Sequence, residues 1–289
     1  MLAASGCSTN SPSLPIFVEP VAPVDTSYEE PNSEKANDPS LASLSNESEN
    51  LTNLNPMPTE TALEIELTVD LWERMRIGFK LNTTDLPSVV DDQREWYLSN
   101  PSHLKTVFNR SKPFLYHVVE ELEKANLPLE LALLPVVEST YDPLAYSSSH
   151  AAGLWQFIPS TGRQYGLIRN RWYEGRRDVI RSTSAAVGYL SYLHQRFNKD
   201  WLLALAAYNA GEGSVSKAIQ RNKKLGLPTD FWNLKLPKET RNYVPQLLAL
   251  SALAKDPQQF SVKLPEIPNE KYFEIIEISN QIALSLVLD

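Results

Sequence analysis

From residue 61 onward, apolar residues recur at helical spacing in nearly every segment of the chain. In ETALEIELTVDLWERMRIGF, residues 60–79, Leu67, Leu71, Met75 and Phe79 fall on one helical face. Similar patterns predict helices near residues 128–138, 183–197, 200–210, 212–223 and 239–254. Strand-like alternation is almost absent before KYFEIIEIS, residues 271–279. The patterns therefore predict a mainly α-helical protein with a short αβ fragment at the C-terminal end of this sequence.

A proline interrupts the helical pattern of residues 100–128. Pro113 has no backbone N–H, and proline is tolerated best in the first turn of a helix. We therefore predict two helices in this segment, the second with Pro113 just inside its first turn.

Composition divides the chain into three parts. Residues 1–60 carry nine acidic residues and one lysine, Lys35, which accounts for the whole formal net charge of −8. Because this segment is rich in Ser, Asn, Pro and Glu and lacks periodicity, we predict a disordered acidic tether. We assign residues 61–265 to the helical domain and residues 266–289 to a truncated αβ segment. The charge-balanced domain lacks the basic surface typical of nucleic-acid-binding proteins, so we expect no nucleic-acid partner.

The single cysteine, Cys7, follows small residues in LAASGC, a pattern typical of the acylation site of bacterial lipoproteins. The basic and apolar regions of a signal peptide do not precede it. Either the sequence starts inside a longer precursor, or the match is coincidental, and both alternatives stay open. The sequence has no run of 18 apolar residues, so it predicts no membrane-spanning helix. The four histidines lack metal-ligand spacing, and we predict no metal site.

One carboxyl group stands at the end of an apolar helical pattern. LPLELALLPVVES, residues 127–139, predicts a short helix perturbed at Pro135, with Leu131, Leu134 and Val137 on its buried side. Glu138 falls in the last turn. The helix dipole and apolar neighbours would both raise the pKa of this carboxyl, as a general acid requires. The alternative is a solvated glutamate at a helix end.

The segments that follow contain groups suited to binding a sugar. SSSHAAGLWQFIPSTG, residues 147–162, combines hydroxyls with a glycine, a tryptophan and Gln156. WLLALAAYNAGEG, residues 201–213, ends an apolar helix with Tyr208 and Asn209. An aromatic face beside hydrogen-bonding groups is typical of a saccharide groove.

Three motifs in this order, ESTYDPLAYSSSHAAGLWQFIPSTG, AAYNAGEG and ETRNYVPQLLAL, resemble those of the lytic transglycosylase family, in particular its membrane-bound D branch. The similarity covers most of residues 70–265. It implies a lysozyme-like helical domain that cleaves the β-1,4 bond between N-acetylmuramic acid and N-acetylglucosamine in peptidoglycan. The family's catalytic glutamate matches Glu138, and its carboxyl-positioning serine matches Ser147. The matching substrate-binding residues are Gly153, Gln156, Tyr208, Asn209, Glu239 and Tyr243.

The resemblance also implies a mechanism with a single carboxyl group. Glu138 would protonate the glycosidic oxygen and then accept the proton of the muramyl C6 hydroxyl, which closes a 1,6-anhydro ring. This reaction needs no cofactor. Asp142, just before Pro143, is interpreted as a turn former, and Glu239 as a groove residue.

The expected partners are peptidoglycan glycan strands, and we expect a monomer. The D branch usually continues into C-terminal LysM modules, which this sequence lacks. The family and the LAASGC pattern together predict a periplasmic protein tethered to the outer membrane through Cys7. The alternatives are a hydrolytic lysozyme, a non-catalytic peptidoglycan-binding or scaffold protein on the same fold, and a helical repeat protein, although the helices show no fixed period.

Overall fold

The computed structural model describes residues 70–274, and these residues are mainly helical, which confirms the predicted fold class. The α-helices are α1 (Leu71–Ile77), α2 (Ser88–Ser99), α3 (Pro101–Lys124), α4 (Leu134–Ser139), α5 (Pro159–Gln164), α6 (Val179–Arg196), α7 (Trp201–Ala210), α8 (Glu212–Lys224) and α9 (Lys238–Lys255). Two 3-10 helices cover Leu129–Leu133 and Phe231–Asn233. Among the described residues, extended backbone pairs only as isolated bridges, such as Tyr146 with Ala152.

Helix α9 lies at the centre of the domain. It packs against α1, α2, α4, α7 and the 3-10 helix Leu129–Leu133. Its second half is almost wholly apolar and buried. Helix α7 is also buried on several sides, because residues 203–207 are all Leu or Ala and are all buried. The contact between these two helices brings together the predicted site residues at the end of α7, Tyr208 and Asn209, and those at the start of α9, Glu239 and Tyr243.

The predicted break at Pro113 is wrong. Residues 101–124 form one continuous helix, α3, with Pro113 inside it. A buried apolar face runs along the helix from Leu104 to Leu122 and packs on the 3-10 helix Leu129–Leu133 and on α6. Burial of that long face stabilises the helix by more than the loss of roughly 3 kcal/mol that an internal proline causes.

The predicted helix near residues 128–138 consists of two short pieces. The 3-10 helix Leu129–Leu133 leads directly into α4, and Pro135 lies in the first turn of α4, where its missing N–H has no consequence. Leu131 and Leu134 are buried, as predicted. Val137 is only half-buried and faces a cleft, while Val136 takes the buried position. Helices α2 and α5 were not anticipated from the sequence.

Several predictions concern residues that the structure does not describe. The acidic tether of residues 1–60, Cys7, Leu67 and most of the C-terminal αβ segment lie outside residues 70–274. Within that segment, residues 266–274 are described and form neither helix nor strand. No helix among residues 70–274 is both long enough and apolar enough to cross a bilayer.

Candidate active site

The Glu138 side chain reaches its position because α4 ends abruptly after six residues. Thr140 and Tyr141 both adopt left-handed backbone conformations, with φ of 53° and 58°. The Tyr141 hydroxyl donates to the carbonyl of Ala132 over 2.8 Å, and the Ser139 hydroxyl donates to the carbonyl of Leu154 over the same distance. These buried hydrogen bonds hold the end of α4 against the core and against the loop that follows.

The carboxyl of Glu138 has one hydrogen-bond partner among the described residues. The Tyr243 hydroxyl, on α9, donates to Glu138 Oε1 over 2.5 Å. The pKa of Glu138 is raised to about 7. Burial is the largest cause of the rise, the Tyr243 hydrogen bond opposes it, and the negative charge of Glu239 contributes to it. The upward shift predicted from the sequence is confirmed. Its principal cause is desolvation, and Glu239, predicted as a groove residue, contributes to it.

The carboxyl opens onto a cleft of about 750 Å³. The predicted site residues that line this cleft are Glu138, Ser147, Gln156, Tyr208, Asn209, Glu239 and Tyr243. The structure therefore brings together residues from α4, from the loop that follows it, and from α7 and α9. These residues are separated by up to 105 positions in the chain.

Tyr208 lies at the last turn of α7 and connects two walls of the cleft. Its hydroxyl donates to the carbonyl of Trp155 over 2.9 Å. Its ring contacts Phe157 and Tyr189, with centroid distances of 6.3 and 5.3 Å. The indole N–H of Trp155 donates to Thr183 on α6, so the aromatic wall is anchored in the core. A fixed aromatic wall of this kind suits the apolar face of a sugar ring.

Asn209 connects the end of α7 to the start of α9. Its side-chain oxygen accepts a hydrogen bond from the Thr240 hydroxyl over 2.7 Å. Its amide nitrogen lies 3.5 Å from Glu239 Oε1, at the limit of a hydrogen bond. The exposed Glu239 side chain is thereby held at the rim of the cleft, where its charge acts on Glu138.

Ser147 and Gln156 line the cleft, but both contact the loop backbone. The Ser147 hydroxyl accepts from the Ala151 amide over 3.0 Å, and in the described part of the chain it makes no hydrogen bond with Glu138. The Gln156 side-chain amide donates to the carbonyl of Gly153 over 2.8 Å. These contacts stabilise the loop wall. The role predicted for Ser147 in positioning the Glu138 carboxyl and the role predicted for Gln156 toward a substrate remain predictions.

Gly153 does not line the cleft. Its φ is +81°, and a Cβ atom there would lie 1.7 Å from the carbonyl oxygen of Arg176. The sequence suggested a glycine that lets backbone approach a ligand, whereas the backbone that approaches it belongs to the protein itself. Only glycine fits, because both the conformation and the space exclude a side chain.

Asp142 forms the predicted turn. Its carboxylate accepts the backbone N–H of Leu144 over 2.9 Å. It does not line the cleft, so Glu138 and Glu239 are the two carboxylates that do.

Sequence reasoning missed several cleft residues, including Tyr189, Asn242 and Gln246. A signal for two of them was present, since Glu239, Asn242, Tyr243 and Gln246 have the i, i+3, i+4, i+7 spacing of one helical face. Tyr189 had no such local signal. Across residues 70–274, no three His, Cys, Asp or Glu side chains are grouped so that they could hold a metal ion.

Comparisons with known proteins found a family match and several sequence relatives. Residues 118–229 match the family described as the transglycosylase SLT domain. The membrane-bound lytic murein transglycosylase D of Escherichia coli K12 is 43% identical over 224 residues, which cover 76% of this chain and 48% of that protein. A putative tributyltin chloride resistance protein of Alteromonas sp. strain M-1 is 37% identical over 188 residues, covering 65% of this chain and 88% of that protein.

Among solved structures, an inactive mutant of the lytic transglycosylase Slt from Pseudomonas aeruginosa gives a TM-score of 0.41 at 26% identity. The match covers 51% of this chain and 24% of that one. The chain spans about half the length of the transglycosylase D relatives it matches. From the SLT match and the two sequence relatives, we conclude that the chain belongs to the transglycosylase SLT domain family.

Proposed function

We propose that this protein cleaves the β-1,4 bond between N-acetylmuramic acid and N-acetylglucosamine in peptidoglycan without adding water. One observation carries the proposal. Of the two carboxyl groups that line the cleft, Glu138 has a pKa that is raised to about 7. At neutral pH such a group is present in both protonation states, so it can act first as an acid and then as a base.

The protonated Glu138 carboxyl donates its proton to the glycosidic oxygen, and the bond between that oxygen and the muramyl C1 breaks. Positive charge develops at C1, and the N-acetyl group of the same sugar stabilises it. The Glu138 carboxylate then accepts the proton of the C6 hydroxyl while O6 bonds to C1. The products are a free N-acetylglucosamine 4-hydroxyl and a 1,6-anhydromuramyl end, and Glu138 returns to its protonated state.

Tyr243 keeps the Glu138 carboxyl oriented through its hydrogen bond and stabilises the carboxylate that forms after the first proton transfer. Tyr208 presents an aromatic face for a sugar ring. Asn209, Gln156 and Ser147 offer polar groups at the cleft wall for sugar hydroxyls and N-acetyl groups. The reaction itself requires no metal or cofactor.

A hydrolytic lysozyme is a second candidate, and one observation favours it. Glu239 lines the same cleft and its charge acts on Glu138, so a second carboxylate is close enough to influence the reacting group. Hydrolases of this type commonly use such a pair of carboxylates. A non-catalytic peptidoglycan-binding protein would also use this cleft, but it would gain nothing from the raised pKa of Glu138.

Mass spectrometry of purified murein digested with the protein separates these functions. Anhydro products, with no water added per cut, support the proposal, whereas products that each carry one added water would identify a hydrolase. Murein that stays intact with the unaltered chain would favour the binding protein. Glu138→Gln serves as the inactive control, and Asp142→Asn is the matched control, because Asp142 forms a turn outside the cleft.

The location and organisation of the protein are part of the same proposal. Its relatives are named membrane-bound lytic murein transglycosylases, which supports a place in the cell envelope for this chain. We further propose a periplasmic monomer whose domain, residues 61–265, is connected by residues 1–60 to an acylated Cys7 in the outer membrane. Metabolic labelling with a fatty-acid analogue, with Cys7→Ser as control, tests the acylation.

A further inference from the structure

A second concave surface lies beside the cleft and has no part in the mechanism above. It has a volume of about 470 Å³. Six of the exposed large apolar or aromatic side chains of the described region come from residues 144–173, and three of them line this surface. We call it the arginine–aromatic pocket, and its lining includes Tyr146, Arg169, Arg171, Trp172, Tyr173 and Arg177, together with Asn170 and Glu174.

Two arginines of the pocket have no acidic partner among the described residues. Glu174 pairs with the buried Arg176 over 2.7 Å and with Arg169 over 3.4 Å. Arg171 instead lies over the Trp172 ring at 5.4 Å, and Arg177 lies over the Tyr146 ring at 5.7 Å. Guanidinium groups that rest on aromatic rings keep their N–H donors available for a carboxylate. The Trp172 side chain itself is 88% exposed.

The loop after α4 contributes adjacent residues to the pocket and to the cleft. Tyr146 lines the pocket and the next residue, Ser147, lines the cleft. Arg176 connects the two, because its guanidinium donates to the Glu174 carboxylate of the pocket over 2.7 Å and to the carbonyl of Phe157 over 2.9 Å. Phe157 also lines the cleft. A ligand held in the cleft therefore has the arginines of the pocket on the other side of a single loop.

We propose that the arginine–aromatic pocket binds the acidic peptide stem of the murein strand whose sugars occupy the cleft, an inference that rests on the proposed function. Arg171 and Arg177 pair with carboxylates of the stem, and Trp172 and Tyr146 cover its apolar side chains. An extended stem of four or five residues spans roughly 13–18 Å, enough to cross one loop. The position of the pocket on the same loop as the cleft favours this occupant over a membrane surface, which has no connection with the cleft.

The test measures binding of two ligands to the full chain carrying Glu138→Gln, which prevents turnover. One ligand is a murein tetrasaccharide with its peptide stems, and the other is the same tetrasaccharide after an amidase has removed them. Adding Arg171→Ala and Arg177→Ala is expected to weaken binding of the peptide-bearing ligand roughly tenfold, as two solvent-exposed charge pairs would, and to leave binding of the bare saccharide unchanged. Arg171→Lys with Arg177→Lys should restore part of the loss, because charge remains but the bidentate geometry does not.

The matched control replaces Arg221 and Lys223, two exposed cations at the far end of α8 that line neither the cleft nor the pocket. It should change neither affinity. Equal effects of the Arg171 and Arg177 variants on both ligands, or no effect on either, would overturn the inference while the proposed function stands. If the chain binds neither saccharide before the arginines are changed, the proposed function itself fails. Loss of binding to phosphatidylglycerol vesicles, with muropeptide affinity unchanged, would assign the pocket to a lipid surface instead.

Discussion

Two carboxyl groups, eight residues apart, show what burial does and does not accomplish in this protein. Glu130, in the 3-10 helix Leu129–Leu133, is 1% exposed, and Glu138, in α4, is half-buried. Burial is the main cause of a raised pKa in both. Glu130 Oε1 accepts the backbone N–H of Leu81 over 2.7 Å, and its Oε2 is buried without a partner in the described region.

The difference lies in what surrounds each group. Glu130 ties the segment before α2 to the core, and it does not line the cleft. Glu138 opens onto the cleft, accepts a hydrogen bond from Tyr243 and feels the charge of Glu239. A raised pKa is therefore a sign of burial first. It points to catalysis only where the group can reach a substrate.

The largest expected effect separates the two groups by activity. Glu138→Gln should lower the rate of murein cleavage by roughly a thousandfold or more, because the amide cannot donate or accept the catalytic proton. Glu130→Gln should keep most of the wild-type rate. Release of soluble muropeptides from purified sacculi measures both. If the Glu130→Gln variant were correctly folded by circular dichroism but slow, Glu130 would have a role in cleavage as well as in structure.

The next effect concerns the free energy of unfolding, for which Glu130 should matter more than Glu138. Glu130→Ala removes the acceptor of the Leu81 N–H and leaves a cavity, so the free energy of unfolding should fall by about 2–4 kcal/mol. Glu130→Gln, which keeps an acceptor oxygen, should lose less. Glu138→Ala should destabilise less than Glu130→Ala, since water enters the cleft. Denaturant unfolding of the three variants ranks them, and a different ranking would show that Glu130 is not the structural one of the pair.

A smaller effect concerns the pH dependence of cleavage, whose alkaline limb should lie near the Glu138 pKa of about 7. Tyr243→Phe removes the hydrogen bond that lowers this pKa, so the limb should move to higher pH. Glu239→Gln removes the charge that raises it, so the limb should move to lower pH. Each variant should lose roughly fivefold in maximal rate or less. Rate profiles across neutral pH test both, and shifts in the same direction would show that another group sets the limb.

The smallest effect concerns stability. Folding raises the pKa of Glu138 from 4.5 to about 7, so the native state binds more protons than the unfolded state between those values. The associated stability is fully present below about pH 4.5 and is lost as pH rises through about 7. Glu138→Gln has no such loss, so its melting temperature relative to wild type should be higher at about pH 8 than at about pH 5. An equal difference at both pH values would mean that the carboxyl is better solvated than its position indicates.

The sequence predicted the mainly helical class and most helix positions, and its resemblance to a known family supplied many of the residues that line the cleft. Local periodicity determines the helices, because each helix must bury its own apolar face. The same periodicity predicted that Glu138 lies in the last turn of a short apolar helix. That position in turn predicted that its pKa is raised. The sequence also shows that Glu239 and Tyr243 lie on one face of a helix. Extending that face by the same spacing would have predicted Asn242 and Gln246 as cleft residues.

Only the tertiary structure decided which groups meet. The hydrogen bond from Tyr243 to Glu138 joins residues 105 positions apart, and no local pattern predicts such a contact. Only glycine fits at position 153, because the Arg176 carbonyl occupies the space of a side chain. Pro113 lies inside α3 because burial of the long apolar face of that helix stabilises it by more than the proline destabilises it. The physical reason is common to all three cases: local spacing determines which side of an element is apolar, whereas packing of distant elements determines the distances and charges on which proton transfer depends.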